Sequence, residues 1–193
     1  LETTADQHHP GTLRQLAGAG LCKGLAARRQ IDHRQAVPRA MPRRLVQRRV
    51  HHIGTDDHAL VINGGSFGAR FCQILERHHV PFDSVDLASG EALVADCLAP
   101  YEGAGCTALL VNLDETSTGQ LYDLEMLSAF CRHNGMLLIV DAISAFLSDP
   151  IDMTSAGIDV LIVSSQKALS LAPGLSCVTL SPRMVERVVS RDA

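Results

Sequence analysis

The chain has 193 residues, a net charge of −4, 46% apolar residues and 20% charged residues. That composition excludes global disorder and allows one ordinary domain, or one domain with an appendage. No apolar run approaches the roughly 18 residues that a membrane helix needs, and no leader-like basic-then-apolar opening is seen, so a soluble protein is expected. The six cysteines are scattered without a C-x-x-C pair, which points to a reducing cytoplasm.

Charge divides the chain. Residues 1–58 hold ten basic residues against five acidic ones, together with six of the nine histidines, whereas residues 59–193 hold seven against sixteen. In the first part Leu13 to Ala26 is a short helical candidate, Pro38 and Pro42 interrupt any long helix, and no sustained apolar period follows. This segment reads as a basic, irregular arm. Nucleic-acid binding through Arg43, Arg44, Arg48 and Arg49 is the lesser reading, because no aromatic residue stands between the arginines to stack on bases. A metal site in His51-His52-Ile53-Gly54-Thr55-Asp56-Asp57-His58 has the right ligand types at a spacing that matches no recognised template, so no metal is assigned. The abrupt change in composition also fits a shifted reading frame.

From Ala59 onward apolar runs alternate with amphipathic stretches at βα lengths. Strands are predicted at Ala59–Asn63, weakly near Ser84–Leu87, and at Ala108–Asn112, Met136–Val140, Val160–Val163 and Ser176–Leu180. Helices are predicted at Gly68–His79, Gly90–Leu98, Leu121–Asn134 and Pro182–Val189, where apolar residues recur at three- and four-residue steps. The fold class is therefore α/β, with a mostly parallel sheet whose strands are buried on both faces and flanked by helices.

In open α/β sheets, ligands bind beyond the carboxyl ends of the strands. The residues there are Gly64-Gly65-Ser66-Phe67-Gly68, Leu113 to Gly119, Asp141-Ala142-Ile143-Ser144 and Ser164-Ser165-Gln166-Lys167. Lys167 is the single lysine of residues 59–193. A lysine there usually snorkels to solvent; partly desolvated, its amine becomes a nucleophile towards an aldehyde. Asp141 reads either as a helix cap or as the carboxylate partner of a pyridinium nitrogen.

Five pieces in order carry a resemblance: Glu115-Thr116-Ser117-Thr118-Gly119, Val140-Asp141-Ala142-Ile143-Ser144, Ile158-Asp159-Val160, Ser165-Gln166-Lys167-Ala168-Leu169 and Ala172-Pro173-Gly174. Over residues 59–193 the chain resembles the class V pyridoxal-phosphate aminotransferases, in the branch of alanine–glyoxylate, serine–glyoxylate and 2-aminoethylphosphonate transaminases. The separation of 26 residues between Asp141 and Lys167 is also similar to the family's. The resemblance implies the large domain of a fold-type I enzyme that uses pyridoxal 5'-phosphate. It further implies transfer of an amino group from a small amino donor to a 2-oxo acid of the glyoxylate or pyruvate type, by a homodimer.

By the same resemblance, Lys167 holds the cofactor covalently and moves the substrate proton, and Asp141 keeps the ring nitrogen protonated. Ile143 lies under the ring, Phe67 stacks on its other face, Thr116 bonds its phenolic oxygen and Gln166 sends an amide towards its phosphate. Read alone, Phe67 and Ile143 are equally core side chains, and Thr116 and Gln166 satisfy a turn. Family members are about twice this long, so residues 59–193 are expected to be a partial large domain without the C-terminal small domain, of doubtful activity alone. The family's phosphate-binding loop has no counterpart in Arg39-Ala40-Met41-Pro42-Arg43-Arg44, Leu113 stands where relatives often have histidine, and Gln166 argues against a cysteine desulfurase. Two rival readings are a non-catalytic interaction module of the same fold and a pyridoxal-phosphate lyase.

Overall fold

The computed structural model describes residues 53–191. The predicted helix at 13–26, the four arginines and His51 and His52 lie outside the described residues.

Six strands form one sheet: β1 (Ala59–Asn63), β2 (Phe82–Asp86), β3 (Ala108–Asn112), β6 (Leu137–Asp141), β7 (Val160–Ser164) and β8 (Ser176–Leu180). Their order is β2-β1-β3-β6-β7-β8. The first five run parallel, and β8 closes the edge antiparallel to β7. A separate two-residue hairpin pairs β4 (Asp114–Glu115) with β5 (Gln120–Leu121).

Alternation along each strand divides the core between two faces. Leu60, Ile62, Leu109, Val111, Leu138 and Val140 point to one face, where they meet Leu127, Phe130 and Cys131 of α3 (Leu124–Asn134) and Leu98 of the short α2 (Ala95–Leu98). Ala59, Val61, Ala108, Leu110, Leu137 and Ile139 point to the other. There they meet Leu75 of α1 (Ser66–Arg77) and Met184 and Val188 of α4 (Pro182–Arg191). Helices thus cover both faces of the parallel strands, and each fully buried Leu, Ile or Val contributes about 1.5–3 kcal/mol. The outer strand β8 departs from the expected burial, since its first four residues are exposed.

Helix ends follow local chemistry. The expected start of α3 at Leu121 is corrected to Leu124, because Gln120 and Leu121 pair with β4. The Asp123 carboxylate then accepts the Glu125 and Met126 N–H groups at 2.9 and 3.1 Å. Gly135, at φ 68°, ends the helix and lets Met136 N–H reach the Cys131 carbonyl. The helix expected at Gly90–Leu98 shrinks to Ala95–Leu98. Gly90 is left-handed at φ 83°, Glu91 turns back to accept the Ala88 N–H, and Pro100 lies in the 3₁₀ turn that follows. Ser181 caps α4 through the Met184 N–H, with Pro182 at its first position.

Two buried acids fasten this body. Asp159 accepts the Leu138 N–H, the Ser181 hydroxyl and the Arg183 guanidinium, joining β6, β7 and α4. Asp57, only 3% exposed, accepts the Gly54 N–H and the Thr107 hydroxyl and pairs with Arg187 and Arg191 of α4. Both its oxygens are thereby occupied, which removes Asp57 from the ligand set considered for residues 51–58.

Candidate active site

The carboxyl ends of β1, β3, β6 and β7 lie along one edge of the sheet. Register sets Asn112 of β3 beside Asp141 of β6, and Asp141 beside Ile162 of β7. All six candidate residues belong to the segments that leave this edge.

Past β1 the chain turns through Gly64 and Gly65 into α1. A Cβ on Gly64 would strike the Tyr122 hydroxyl, and one on Gly65 would enter the side chains of Ser117 and Glu115. A Cβ on Gly68 would stand 2.7 Å from the Ile62 carbonyl oxygen and 2.8 Å from Asn63 Cα. Glycine at these positions lets α1 begin hard against β1 and the β4 hairpin. The first turn of α1 has no side-chain cap of its own. Its N–H groups are met from the β4 hairpin instead: Glu115 Oε1 and Oε2 accept the N–H groups of Phe67 and Gly68 at 3.3 and 2.9 Å, and Ser117 Oγ accepts that of Ser66 at 2.9 Å. Glu115 is fully buried, and its negative charge at a helix N-terminus is favourable. The Phe67 ring itself is 45% exposed, which corrects its alternative reading as a core side chain.

Past β3, Leu113 turns into the core and is 2% exposed. Thr116 is exposed, and its hydroxyl lies 2.6 Å from that of Ser144, linking the segment after β3 to the one after β6. The Asn112 Oδ1 and the Tyr122 hydroxyl are buried and find no partner among the described residues.

Asp141, at the end of β6, is partly buried. Its Oδ1 accepts the Ile143 N–H at 2.9 Å, which turns the chain so that Ile143 follows in a partly buried position. Burial pushes the Asp141 carboxyl above its ordinary 3.8; hydrogen bonds from the Ile143 N–H and the Asn112 side chain act against this, and the Glu115 charge adds to it. Among the described residues, neither Asp141 nor Glu115 has a basic partner within ion-pair distance.

Past β7, Ser165 is buried and staples a loop. Its hydroxyl donates to the Ala172 carbonyl at 2.7 Å and accepts the Leu175 N–H, while its backbone bonds Leu171 and Leu175. Gln166 and Lys167 ride on this loop, both exposed. Lys167 O accepts the Ser170 N–H at 2.8 Å, in a turn where Ser170 takes φ 54°.

The structure thus gathers Phe67, Thr116, Asp141 and Ile143 around the ends of three adjacent strands, and sets Gln166 and Lys167 on the loop of the next. Sequence reasoning assigned no role to Glu115, Ser165, Asn112, Tyr122 or Ser144. Glu115, Ser144 and Ser165 had a signal, since all three stand inside the motifs quoted above. Asn112, the last polar residue of a buried run, had a weaker one.

This mostly parallel α/β body superposes on part of several solved aminotransferases. Alanine–glyoxylate aminotransferase from Nostoc sp. superposes with a TM-score of 0.69 at 28% identity, over 75% of this chain and 38% of that one. The 2-aminoethylphosphonate–pyruvate transaminase of Burkholderia thailandensis is 38% identical over 142 residues, which is 71% of this chain and 38% of that protein. That of Aeromonas hydrophila is 37% identical over 130 residues, 65% of this chain and 34% of that protein. The sequence pattern of the aminotransferase class-V family matches residues 95–190. The chain belongs to the class V aminotransferase family, whose cofactor is pyridoxal phosphate, and it spans well under half the length of these relatives.

Proposed function

We propose that residues 59–193, with residues 53–58 fastened to them, are the cofactor-binding part of a pyridoxal-phosphate aminotransferase that moves an amino group from a small amino donor to glyoxylate or pyruvate. The similar proteins whose printed names include pyruvate or glyoxylate support that acceptor class. A homodimer in a reducing cytoplasm goes with this reading.

The observation that carries the proposal is Asp141: a partly buried acid with no cationic partner among the described residues, on a strand adjacent to the one whose loop bears Lys167. A protonated ring nitrogen is the cation such an acid lacks, and the pairing would reverse the upward push that burial exerts on its carboxyl. The Asn112 Oδ1 and Tyr122 hydroxyl, without a partner among the described residues, leave polar capacity at the same edge. The exposed Phe67 ring offers a face for π contact.

When bound, the group withdraws electrons from the substrate Cα and so eases loss of its proton. The chain's residues then divide the remaining work. Asp141, oriented by the Ile143 N–H and Asn112, would hold the proton on the ring nitrogen. Phe67 and Ile143 would confine the ring between two apolar surfaces, Thr116 would bond its phenolic oxygen, and Gln166 would reach towards its phosphate. The Lys167 amine would hold the group through its aldehyde and, once freed, would be the base that moves the substrate Cα proton.

The test is to incubate the full chain with pyridoxal phosphate, reduce with borohydride and locate the phosphopyridoxyl mass. The reading expects the label on Lys167, its loss in Lys167→Ala, and at least tenfold weaker labelling in Asp141→Asn. A label spread over other amines, or unchanged in both variants, overturns it.

A further inference from the structure

We propose that His58, Asp83 and Cys106 form a binding site for a borderline divalent transition-metal ion of the Zn²⁺ type, at the amino ends of β1, β2 and β3. This is the opposite edge of the sheet from Asp141, and the proposal does not depend on the cofactor reading.

Three separate pieces of chain bring one ligand each. His58 immediately precedes β1, Asp83 lies in β2, and Cys106 stands two residues before β3. Their ligand atoms all lie within 4.8 Å of one another, and His58 Nε2 is 3.0 Å from Asp83 Oδ2. A tetrahedral zinc ion, with bonds of about 2.0–2.3 Å, needs its donor atoms roughly 3.3–3.8 Å apart. Side-chain rotation spans that difference without moving the strands.

The backbone beneath the ligands is fixed. The His58 N–H donates to Thr107 Oγ1, and the Thr107 N–H donates to the His58 carbonyl at 2.7 Å, which locks the stretch before β1 against the stretch holding Cys106. Asp83 is in register with Leu60, and the Tyr101 hydroxyl holds the neighbouring Ser84 carbonyl at 2.9 Å. Burial is graded as a metal pocket requires: Cys106 forms the floor at 7% exposure, while the side chains of His58 and Asp83 stay 40% and 48% exposed and leave a path for the ion and a fourth, water ligand.

The donor set selects the ion. A thiolate and an imidazole exclude Mg²⁺ and Ca²⁺, which take oxygen, and favour Zn²⁺ or its probe Co²⁺. On binding, the Cys106 S–H bond breaks, its proton leaves to solvent and a metal–sulfur bond forms. His58 ligates as neutral imidazole and Asp83 as carboxylate, so the two negative charges balance the ion. The ion would clip three strands together at their amino ends.

Titration of the full chain with Co²⁺, in a non-thiol reductant, tests the site. A thiolate-to-cobalt charge-transfer band in the near ultraviolet is expected, bleached by Zn²⁺. Cys106→Ser should abolish the band, and His58→Gln and Asp83→Asn should each weaken Co²⁺ binding at least tenfold. Absence of the band in the native chain, or a band unchanged in Cys106→Ser, overturns the proposal. Should Cys106→Ser fail to fold, the two half-exposed variants decide it, and native affinity in both overturns it.

Discussion

Glu115 Oε2 accepts the Gly68 N–H at 2.9 Å across 47 residues of chain, and by this bond the hairpin after β3 holds the helix that starts after β1. The other oxygen takes the Phe67 N–H, so one buried carboxylate sets where the candidate stacking ring sits. Glu115→Gln keeps the shape but turns one acceptor into a donor facing N–H groups. It should cost about 1.5–3 kcal/mol, read as a lower urea midpoint. Faster hydrogen exchange at Phe67 and Gly68 should accompany it, with exchange in β6 unchanged.

Gly68 meets backbone where a Cβ would go, and backbone cannot step aside as a side chain can. Gly68→Ala should therefore destabilise by about 1–3 kcal/mol. Equilibrium unfolding measures this, and an unchanged midpoint would mean that α1 has room to slide along β1.

Asp57 makes an acid-side prediction. Burial raises its pKa, but the Gly54 N–H, Arg187 and Thr107 outweigh burial and hold the carboxyl below its ordinary 3.8. The stability from this lowered value is fully present above about 3.8 and is lost as pH falls through the folded value. Asp57→Asn leaves Arg187 and Arg191 facing a neutral amide and should cost about 3–5 kcal/mol at neutral pH. The gap between native and variant urea midpoints should narrow below pH 3.8.

Asp141 runs the other way. Its pKa is raised by burial, so in the cofactor-free chain its contribution favours folding at low pH and turns into a cost as pH rises from 3.8 through the folded value. Asp141→Asn removes that cost while its Oδ1 keeps the Ile143 N–H. The variant should melt higher than the native chain at neutral pH and label with pyridoxal phosphate more weakly. A lower melting temperature would show that the ionised carboxyl is already compensated.

The central strands were legible because buried parallel strands are short continuous apolar runs: Ala59–Asn63 and Ala108–Asn112 match their predicted bounds. Helix starts were less so, because caps and hairpins decide them. Asp123 and the pairing of Gln120 with Glu115 moved α3 by three residues, and nothing in apolar periodicity records either. At the candidate site the residues immediately after strands could be found by position. Glu115 stood inside a quoted motif, but its work on the first turn of α1 could not be read there, since it acts through a partner 47 residues away. The Asp57 clasp, at the other end of β1, was hidden in the same way by a separation of 130 residues. Exposure of β8 was hidden for the same reason: Cys177, Val178 and Leu180 read as a core strand, but no strand pairs its outer edge among the described residues.

The clasp between Asp57 and Arg187 spans 130 residues. A ribosome makes the acid 130 residues before its guanidinium partner, so during synthesis the emerging sheet carries an unmet charge until that part of α4 has cleared the exit tunnel. Completion of this body therefore waits for α4, and a nascent chain halted before Arg187 should remain open to protease however many of its strands have already emerged.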